Sequence, residues 1–400
     1  MSGVVVLGAS VAGVTVARTL RTLGFTGPIR LVDREEEEPY DKPQLSKGAV
    51  DQPVRLLTRA EARELDVELV LGAEAVRLDP AAHHVELADG THLGYDALVL
   101  ATGVRARPAP WTGPGIHVLR TLTDARAIHG ALATGGDVVI VGGGFIGAEL
   151  ASVARQRGCR VTVVDADPNP PARVVGPDVG DRLLDAHREA GVELRLGRLV
   201  AGVETAAASD ESTGQVRIRL NDGETLSADL VVVGIGAQVD TGWLEGSGLR
   251  LEDGVECDAF GRALGVEDVY AVGDVARWAA PDGGPGRRVE HWSTAQEQAR
   301  CVAGTLVVPL APQPLSEVSM VWSDQHGRTL QILGEVDPAA VPQVVETDGR
   351  LLALWEVDGR LVGAAAWGWP RGALAARRAI GRGGRAAEVV AAVAPKESAA

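Results

Sequence analysis

The sequence predicts an α/β protein with two Rossmann-like dinucleotide-binding domains, followed by a small α+β C-terminal domain. The first observation behind this prediction is a pair of glycine-rich loops, each set between an apolar strand and a helical stretch. The second is an internal repeat that follows each loop. The third is a change after Leu315, where the pattern becomes one of alternating strands.

The loop in the middle of the chain has the clearer pattern. It follows the apolar run Val138–Val141, opens the helical stretch Phe145–Gln156, and has G-x-G-x-x-G spacing at Gly142, Gly144 and Gly147. In such a loop the first glycine permits a tight turn, the second lets the backbone approach a pyrophosphate, and the third lets helix and strand pack closely. The sequence therefore predicts a dinucleotide site at this loop.

An acid after the next strand indicates which nucleotide binds there. Asp165 follows the predicted strand Arg160–Val164, at the distance expected of a ribose ligand. Its carboxylate would accept hydrogen bonds from the ribose 2′-OH and repel a 2′-phosphate. The nearest arginine that follows is Arg173, which we expect to lie too far away to bind such a phosphate. NADH is therefore the predicted pyridine nucleotide.

A second loop of this kind opens the chain. It spans Gly8–Gly13 and leads into a predicted helix, Val11–Leu23, with Ser10 in place of the middle glycine. The strand after this helix ends in acidic residues, and either Asp33 or Glu35 is predicted to bind an adenosine ribose. The sequence thus predicts two nucleotide sites in one chain.

The internal repeat supports both sites together. Val85–Gly103 and Ile218–Gly236 align without a gap, and each contains an Asp-Gly pair that is typical of a hairpin turn. Asp96 matches Asp229, and an apolar strand follows in each copy. A duplicated unit of this kind makes two unrelated, coincidental glycine loops an unlikely explanation.

The remaining elements are predicted from hydrophobic periodicity. In chain order they are strands at Val4–Leu7 and Ile29–Val32, a helix at Thr58–Glu64, strands at Val67–Leu71 and Ala75–Leu78, a strand-to-helix turn at Val269–Ala276, a helix at Val289–Leu306, strands at Met320–Trp322, Thr329–Gly334, Gln343–Glu346, Leu351–Val357 and Leu361–Trp367, and a helix at Ala373–Ile380.

Composition restricts the class of partner and the compartment. The 400 residues carry a formal charge of −15, which argues against nucleic acid or an anionic membrane as partner. We expect no membrane span, because no apolar run is long enough to cross a bilayer. We expect no signal peptide, because Met1-Ser2-Gly3 leads directly into a strand. The three cysteines are far apart and have no metal-ligand spacing, so we predict no metal site and a reduced, cytoplasmic protein.

Several motifs occur in an order that resembles a known family. Gly8–Gly13, Ala101-Thr102-Gly103, Gly142–Gly147 and Val272-Gly273-Asp274 follow one another as in flavoproteins with two dinucleotide-binding domains and a glutathione-reductase-like fold. Four further segments narrow the resemblance to the ferredoxin reductases of bacterial oxygenase systems, which are NADH-dependent FAD enzymes serving cytochromes P450 and aromatic-ring dioxygenases. These segments are YDKPQLSK (40–47), GGGFIGAE (142–149), EHWSTAQEQA (290–299) and VWSDQ (321–325). The chain departs from the family at Gln44, where a second proline is usual.

The resemblance implies a domain plan and two cofactors, FAD and NAD. The NAD-binding domain, 113–240, would be inserted in an FAD-binding domain formed by 1–112 and 241–312, with an α+β interface domain at 313–400. FAD would lie along the first glycine loop, with Asp274 on its ribitol chain and a helix starting at Gly273 near the flavin. The cofactor-binding residues implied are Gly8, Ser10, Val11, Ala12, Gly13, Asp33, Arg34, Glu35, Lys42, Pro43, Lys47, Val76, Ala101, Thr102, Gly103, Arg120, Gly142, Gly144, Phe145, Ile146, Gly147, Glu149, Asp165, Gly234, Gly236, Gly273, Asp274, Glu290, His291, Trp292, Ala295 and Trp322.

Lys47 and Glu149 are the implied catalytic residues. The family pattern places a basic residue at the end of the 40–47 loop against the flavin, and the glutamate of FIGAE beside the nicotinamide. We predict that the two side chains pair and position the carboxamide for hydride transfer. The alternative is an ordinary surface lysine and a helical surface glutamate.

Two tryptophans are given roles by the same resemblance. Trp292 would stack near the flavin, and Trp322 would lie at the interface of the C-terminal domain, close to where an electron acceptor docks. The alternative for each is a tryptophan of the hydrophobic core.

The function implied is NADH:ferredoxin oxidoreductase, with hydride transfer from NADH to FAD N5 and then single-electron transfers to a small iron–sulfur ferredoxin, [2Fe–2S] or P450-linked. The alternatives are a reductase of rubredoxin or another small acceptor, and an NADH-binding flavoprotein of signalling type resembling apoptosis-inducing factor. A disulfide reductase would need a redox cysteine near the flavin, and Ser10–Lys47 contains none. We expect a monomer or weak dimer.

A ferredoxin of acidic surface would need a basic docking patch on this acidic chain. The candidates are the arginines near the C-terminal end and a pair before Glu290: Arg371, Arg377, Arg378, Arg382, Arg385, Arg287 and Arg288. The alternative is a solvated helix face.

Overall fold

The computed structural model of the chain describes residues 3–48, 50–205, 215–280, 284, 286–308 and 318–394. The chain divides into two units. The first contains Met1–Lys42, Gln52–Arg105 and Ala237–Glu317, and the second contains Pro43–Asp51, Ala106–Gly236 and Val318–Ala400. The predicted domain boundaries stay predictions, and the one at 312/313 lies outside the described residues.

A parallel sheet with the strand order of a dinucleotide-binding domain forms the centre of the first unit. Its strands, from edge to edge, are Val269–Ala271, Ala97–Leu100, Val4–Leu7, Ile29–Asp33 and Val67–Leu71. Strand Val4–Leu7 is buried throughout, as expected of a strand that is paired on both sides. Helices Val11–Thr22 and Trp292–Val307 pack against each other beside the sheet.

Smaller elements complete the first unit. They are strands Ala75–Asp79, His84–Leu87 and His92–Gly94, helix Arg59–Glu64, strands Ala237–Val239, Leu251–Glu252, Gly254–Cys257, Ala276–Trp278 and Arg287–Arg288, and short 3₁₀ turns at Gly242–Leu244 and Gly273–Val275. Strand Val104–Ala106 and the 3₁₀ turn Lys42–Gln44 lie where the chain passes between the ranges of the two units.

The prediction of a helix after Gly273 is wrong. The turn Gly273–Val275 continues directly into strand Ala276–Trp278, which pairs with Gly254–Cys257. The sequence Gly273-Asp274-Val275 is compatible with a helix start and with a tight turn between strands. Here the pairing of Ala276–Trp278 with Gly254–Cys257 gives the turn. The predicted start of the helix at Val289 is also wrong, because His291 is the N-cap and Trp292 the first helical residue. The helix N-terminus in this region is therefore that of Trp292–Val307.

The second unit contains the other parallel sheet. Its strand order is Glu193–Leu196, Arg160–Asp165, Asp137–Val141, Leu230–Val233 and Ile116–His117. Helices Leu122–Ala133, Phe145–Gln156 and Ala172–Glu189 accompany it, together with the antiparallel strands Val200–Thr205, Val216–Leu220 and Thr225–Ala228. The helix Ala172–Glu189 is kinked at Gly176, where φ is +75°, just before Pro177.

An antiparallel sheet forms the C-terminal part of the second unit. Its order is Met320–Gln325, Arg328–Gly334, Arg360–Trp367, Arg350–Val357 and Gln343–Thr347, so all five predicted strands are present with slightly wider bounds. Helices Pro370–Gly381 and Ala386–Val393 pack on one face of this sheet, and the second of them was not predicted by the periodicity. The opposite face packs on helix Ala172–Glu189.

The internal repeat corresponds to the same structure in each unit. Asp96 accepts a hydrogen bond from the Gly3 amide at 2.8 Å, and its counterpart Asp229 accepts one from the Asp137 amide at 2.8 Å. Each aspartate thus joins the end of a hairpin to the start of the central strand. The predicted fold class is confirmed in both units. Within the described residues, no helix has both the length and the apolar character that crossing a membrane requires.

Candidate functional site

The first glycine loop lies tightly against its own sheet. Gly8 has a φ of +100°, and a side chain there would overlap the carbonyl oxygen of Ala101. A side chain on Gly13 would overlap the Gly8 carbonyl oxygen. Turn, strand end and helix start therefore pack closely together, which is the arrangement that binds a pyrophosphate at a helix N-terminus.

Two acids follow the second strand of this unit. Asp33 holds the loop, because its Oδ2 accepts from the Ala9 amide at 2.6 Å and its Oδ1 from the Glu35 amide at 2.9 Å. Glu35 accepts from the Tyr40 hydroxyl at 2.6 Å and from Lys42 Nζ at 2.5 Å. Burial opposes ionisation of Glu35, but the Lys42 ammonium and these hydrogen bonds hold its pKa below the ordinary value. Which of the two acids binds a ribose stays a prediction.

The Gly273 turn brings three predicted cofactor residues together. Gly273 has a φ of +73°, and a Cβ built there would lie 3.4 Å from the Ala12 Cβ and 3.6 Å from the Ala295 Cβ. The Gly273 amide donates to Oε1 of the buried Gln298 at 2.8 Å. Gln298 fixes the turn and was not among the predicted site residues, although it lies in the quoted segment 290–299.

Trp292 is oriented by a hydrogen bond to Asp41 in the predicted 40–47 loop. Its Nε1 donates to Asp41 Oδ1 at 2.9 Å, a bond between residues 251 positions apart in the chain. The indole therefore has a defined direction at the start of the helix. Its predicted stacking near a flavin stays a prediction.

Four buried polar atoms in the first unit have no hydrogen-bond partner among the described residues. One of them, Tyr95 Oη, lies outside the predicted cofactor segments. The other three, Thr102 Oγ1, His291 Nδ1 and Thr294 Oγ1, lie inside these segments. Burial lowers the pKa of His291, which favours the neutral imidazole. Buried polar side chains nearly always find a partner, so these atoms fit a polar ligand. Together with the glycine cradle, the residues present fit a flavin dinucleotide.

The second glycine loop repeats the geometry of the first. A side chain on Gly142 would overlap the Gly234 carbonyl oxygen, and one on Gly147 would overlap the Gly142 carbonyl oxygen. At Gly144, by contrast, no heavy atom of the described chain lies within 4 Å of the Cβ position. The middle glycine therefore presents bare backbone to open space, as close approach to a pyrophosphate requires.

Asp165 has the same place here as Asp33 has in the first unit. Its Oδ2 accepts from the Gly143 amide at 2.7 Å and its Oδ1 from the Asp167 amide at 2.8 Å. The guanidinium of Arg173 lies on Asp167, with Nε 3.2 Å from Oδ2. That Asp165 binds a ribose and that Arg173 lies too far from it stay predictions.

The predicted pair of Lys47 and Glu149 is present. Lys47 Nζ lies 2.5 Å from Glu149 Oε1, and the side chains are only 13% and 6% exposed. Neither residue is therefore an ordinary surface group. Asp324 Oδ2 is 3.7 Å from the same Nζ.

Other donors complete the surroundings of the Glu149 carboxylate. Ser323 Oγ donates to Oε1 at 2.8 Å and the Asp324 amide at 3.1 Å, while Ser46 Oγ donates to Oε2. A buried carboxylate needs such donors to remain charged. Ser46 and Ser323 were not among the predicted site residues, yet both lie inside the quoted segments 40–47 and 321–325, which was the available signal.

The loop that carries Ser46 and Lys47 is anchored to residues of two helices in the second unit. His129 Nε2 hydrogen-bonds the Leu45 carbonyl at 2.8 Å, and Arg157 Nη1 donates to the His129 carbonyl at 2.6 Å. Burial lowers the pKa of His129. A neutral imidazole therefore anchors this loop.

The other predicted residues have contacts that leave their roles as predictions. Ile146 and Val76 are 50% and 40% exposed, Glu290 pairs with Arg288, and the Arg120 amide donates to the helix-capping Asp124. Trp322 is half-buried in strand Met320–Gln325. Arg34, Pro43, Gly103, Phe145, Gly236 and Asp274 stand at the loops and strand ends described above.

Two dinucleotide cradles, with a buried lysine–glutamate pair in the second unit, define an oxidoreductase of the two-nucleotide type. The chain belongs to the pyridine nucleotide-disulphide oxidoreductase family, whose model matches residues 2–299, and a reductase C-terminal domain matches residues 320–397. Its cofactors are those of the family, FAD and NAD(H). The resemblance drawn from the sequence is thus confirmed.

Three similar proteins are themselves named as reductases. The chain is 36% identical to the ferredoxin–NAD(+) reductase component of the p-cumate 2,3-dioxygenase system of Pseudomonas putida, covering 94% of this chain and 93% of the relative. It is 35% identical to rhodocoxin reductase of Rhodococcus erythropolis, with 94% and 89% covered. The reductase in the crystal structure of the covalent putidaredoxin reductase–putidaredoxin complex is similar with a TM-score of 0.89 and 29% identity, covering 98% and 99%.

Proposed function

We propose that this chain is an NADH-dependent, FAD-containing ferredoxin reductase that supplies electrons to an oxygenase such as a cytochrome P450. The observation that carries the proposal is the buried Lys47–Glu149 pair, whose glutamate lies on the helix that the second glycine loop opens. Bound FAD would accept a hydride from NADH and release the electrons singly. The named relatives serve dioxygenase and rhodocoxin systems, which supports this class of acceptor.

The chain's own residues would bind and orient the reactants. Gly8–Gly13, Gly273 and the unpartnered Thr102 hydroxyl would hold FAD, and Gly142–Gly147 with Asp165 would hold NADH. Glu149 would position the nicotinamide carboxamide, and Lys47 would fix the charge of Glu149 beside the reacting atoms. The position of the Glu149 carboxylate is set before substrate arrives, because buried hydrogen bonds from Ser46 and Ser323 hold it.

The cysteines count against a disulfide-reductase alternative. Burial raises the pKa of the thiols of Cys159, Cys257 and Cys301, in Cys301 to about 11, so thiolate is scarce near neutral pH. These buried thiols also support our proposal of a reducing, cytoplasmic location. The signalling flavoprotein differs from the proposal in lacking turnover with a ferredoxin. The rubredoxin-type reductase differs only in its electron acceptor.

The visible spectrum of the purified protein tests the proposal. We expect a flavin band that one equivalent of NADH bleaches quickly under anaerobic conditions and NADPH bleaches slowly. Added ferredoxin should then restore the band in single-electron steps. A flavin that NADH fails to reduce would remove the reductase mechanism and favour the binding-protein alternative.

A further inference from the structure

Ser323 links Gln325 to Glu149 through two consecutive buried hydrogen bonds in the second unit. His326 Nε2 lies 2.8 Å from His187 Nδ1, and the two rings form a small cluster beside Gln325 in the sequence. Gln325 Nε2 donates to Ser323 Oγ at 3.0 Å, and Ser323 Oγ donates to Glu149 Oε1 at 2.8 Å. His187, Ser323 and Gln325 are 4%, 1% and 2% exposed, so water does not replace these bonds.

Gln325 sets the direction of the Ser323 hydroxyl, because its side-chain amide donates to Ser323 Oγ. Burial and the neighbouring His326 lower the pKa of His187 to about 4, so the imidazole is neutral and has one N–H. Because the Gln325 amide occupies an acceptor site of Ser323, the Ser323 hydroxyl proton is directed to Glu149.

The residues that hold Glu149 from this side lie on elements outside the second glycine loop and its helix. Ser323 and Gln325 lie on strand Met320–Gln325 of the C-terminal sheet, and His187 lies on helix Ala172–Glu189. Glu149 itself lies on the helix of the second glycine loop. The His326 amide adds a second tie to that helix, because it donates to Ser152 Oγ at 2.7 Å.

We propose that Ser323 is a positioning residue for hydride transfer, which fixes the Glu149 carboxylate from the C-terminal sheet through these two hydrogen bonds. The inference rests on the proposed function, since it assigns Glu149 to the nicotinamide. The C-terminal sheet would then complete the site for NADH in addition to any part it has in docking an acceptor. Ser46 and Lys47 hold the same carboxylate from the opposite end of the sequence.

The test compares Ser323→Ala with Thr305→Val, each of which removes one buried hydroxyl. Thr305 Oγ1 donates to the Cys301 carbonyl at 2.9 Å in the first unit and belongs to neither nucleotide loop. We expect Ser323→Ala to slow bleaching of the flavin at saturating NADH about tenfold, the effect of losing a hydrogen bond to a charged group. The dissociation constant of NAD⁺, measured by calorimetry, should change much less.

A second measurement does not depend on turnover. Amide hydrogen exchange of residues 46–48 in the purified flavoprotein should be about tenfold faster in Ser323→Ala, because the carboxylate that holds Ser46 and Lys47 is loosened. Ser323→Thr, which returns a hydroxyl, should restore both the exchange and the bleaching rate. Gln325→Leu, which leaves the hydroxyl undirected, should slow bleaching less than Ser323→Ala does.

The two proposals fail in different ways. If NADH does not bleach the wild-type flavin, the proposed function is wrong, and the exchange experiment still decides whether Ser323 holds the loop. If wild-type bleaching is fast but Ser323→Ala equals Thr305→Val in bleaching rate and in exchange, and differs from wild type only in melting temperature, the positioning role is overturned.

Discussion

Lys47 Nζ and Glu149 Oε1 lie 2.5 Å apart although 102 residues separate them in the chain. Both side chains are largely buried, so each charge depends on the other for compensation. The pair joins the loop Pro43–Asp51 to the first turns of the helix that the second glycine loop opens. It is therefore a structural contact as well as a candidate catalytic one.

Removal of the lysine should be costly. In Lys47→Met the Glu149 carboxylate stays buried with one donor fewer, and we expect the free energy of unfolding to fall by about 3 kcal/mol. Urea denaturation measures this. The free energy of unfolding should fall clearly less in Lys47→Arg, which keeps the charge. It should also fall clearly less in the double variant Lys47→Met with Glu149→Gln. Equal stability of Lys47→Met and wild type would show that the pair is not coupled in solution.

Gln298 should control flavin retention. Gln298→Leu leaves the Gly273 amide without its acceptor, at a cost of about 1–3 kcal/mol, and loosens the turn beside Ala12 and Ala295. We expect the dissociation constant of FAD, titrated by flavin fluorescence, to rise about tenfold. Gln296→Leu on the same helix is the matched control. The same constant in both variants would exclude a role of Gln298 in the cradle.

Asp167 should contribute to nucleotide choice through Arg173. Asp167→Ser removes the charge that engages Arg173 and keeps an oxygen for the Asn169 amide. Contrary to the expectation from sequence distance, the released guanidinium would then reach a 2′-phosphate, because it lies on the residue whose amide donates to Asp165. We expect the KM for NADPH to fall about tenfold. Adding Arg173→Ala should abolish this gain. If NADPH use improves equally without Arg173, the loss of negative charge alone is the cause.

The C-terminal arginines should matter for the acceptor and not for NADH. Arg371 and Arg378 are exposed on helix Pro370–Gly381, so Arg371→Glu with Arg378→Glu should raise the KM for an acidic ferredoxin about tenfold at low salt. Higher salt should slow wild-type ferredoxin reduction while flavin bleaching by NADH stays constant.

The control makes the same change of charge on exposed strand positions, Arg217→Glu with Arg219→Glu. An equal effect of both double variants would indicate that net charge, and not a local patch, governs ferredoxin binding.

His187 should make stability fall in acid. Its pKa is lowered to about 4 in the fold, whereas an unfolded histidine titrates near 6.5, so between these values the unfolded chain binds the extra proton. The free energy of unfolding should therefore fall by about 3 kcal/mol through this group as pH drops from 6.5 to 4.

Urea denaturation at several pH values measures that slope. His187→Phe should show a smaller slope below pH 6.5 and a constant offset at pH 7–8, where the group is neutral in both states. Identical slopes in acid would mean that His187 is not the titrating group.

The two cradles were predictable because their geometry is local. The glycines, the strand before them and the acid after the next strand lie within one contiguous segment in each unit, and the repeat gave independent support. The aspartates Asp96 and Asp229 align in the sequence and make the same bond in the structure. Short-range patterns of this kind can be recognised in the sequence without knowledge of the tertiary fold.

What the sequence did not predict depends on contacts over long separations. Gln298 reaches Gly273, and Ser323 reaches Glu149 across 174 residues, and neither is marked by spacing. The helix expected after Gly273 failed for a related reason, because pairing with the strand Gly254–Cys257 decides the conformation there. Lys47 and Glu149 were found only because a family resemblance supplied the long-range relation.

The order in which a ribosome makes this chain has a consequence for its folding. Ser46 and Lys47 are synthesised about a hundred residues before Glu149, and Ser323 follows Glu149 by 174 residues. The carboxylate is therefore already present, with a lysine available, long before its last donors emerge. A nascent chain that ends before Ser323 lacks part of the hydrogen bonding of Glu149. Folding of the second unit is therefore completed only after most of the chain has been translated.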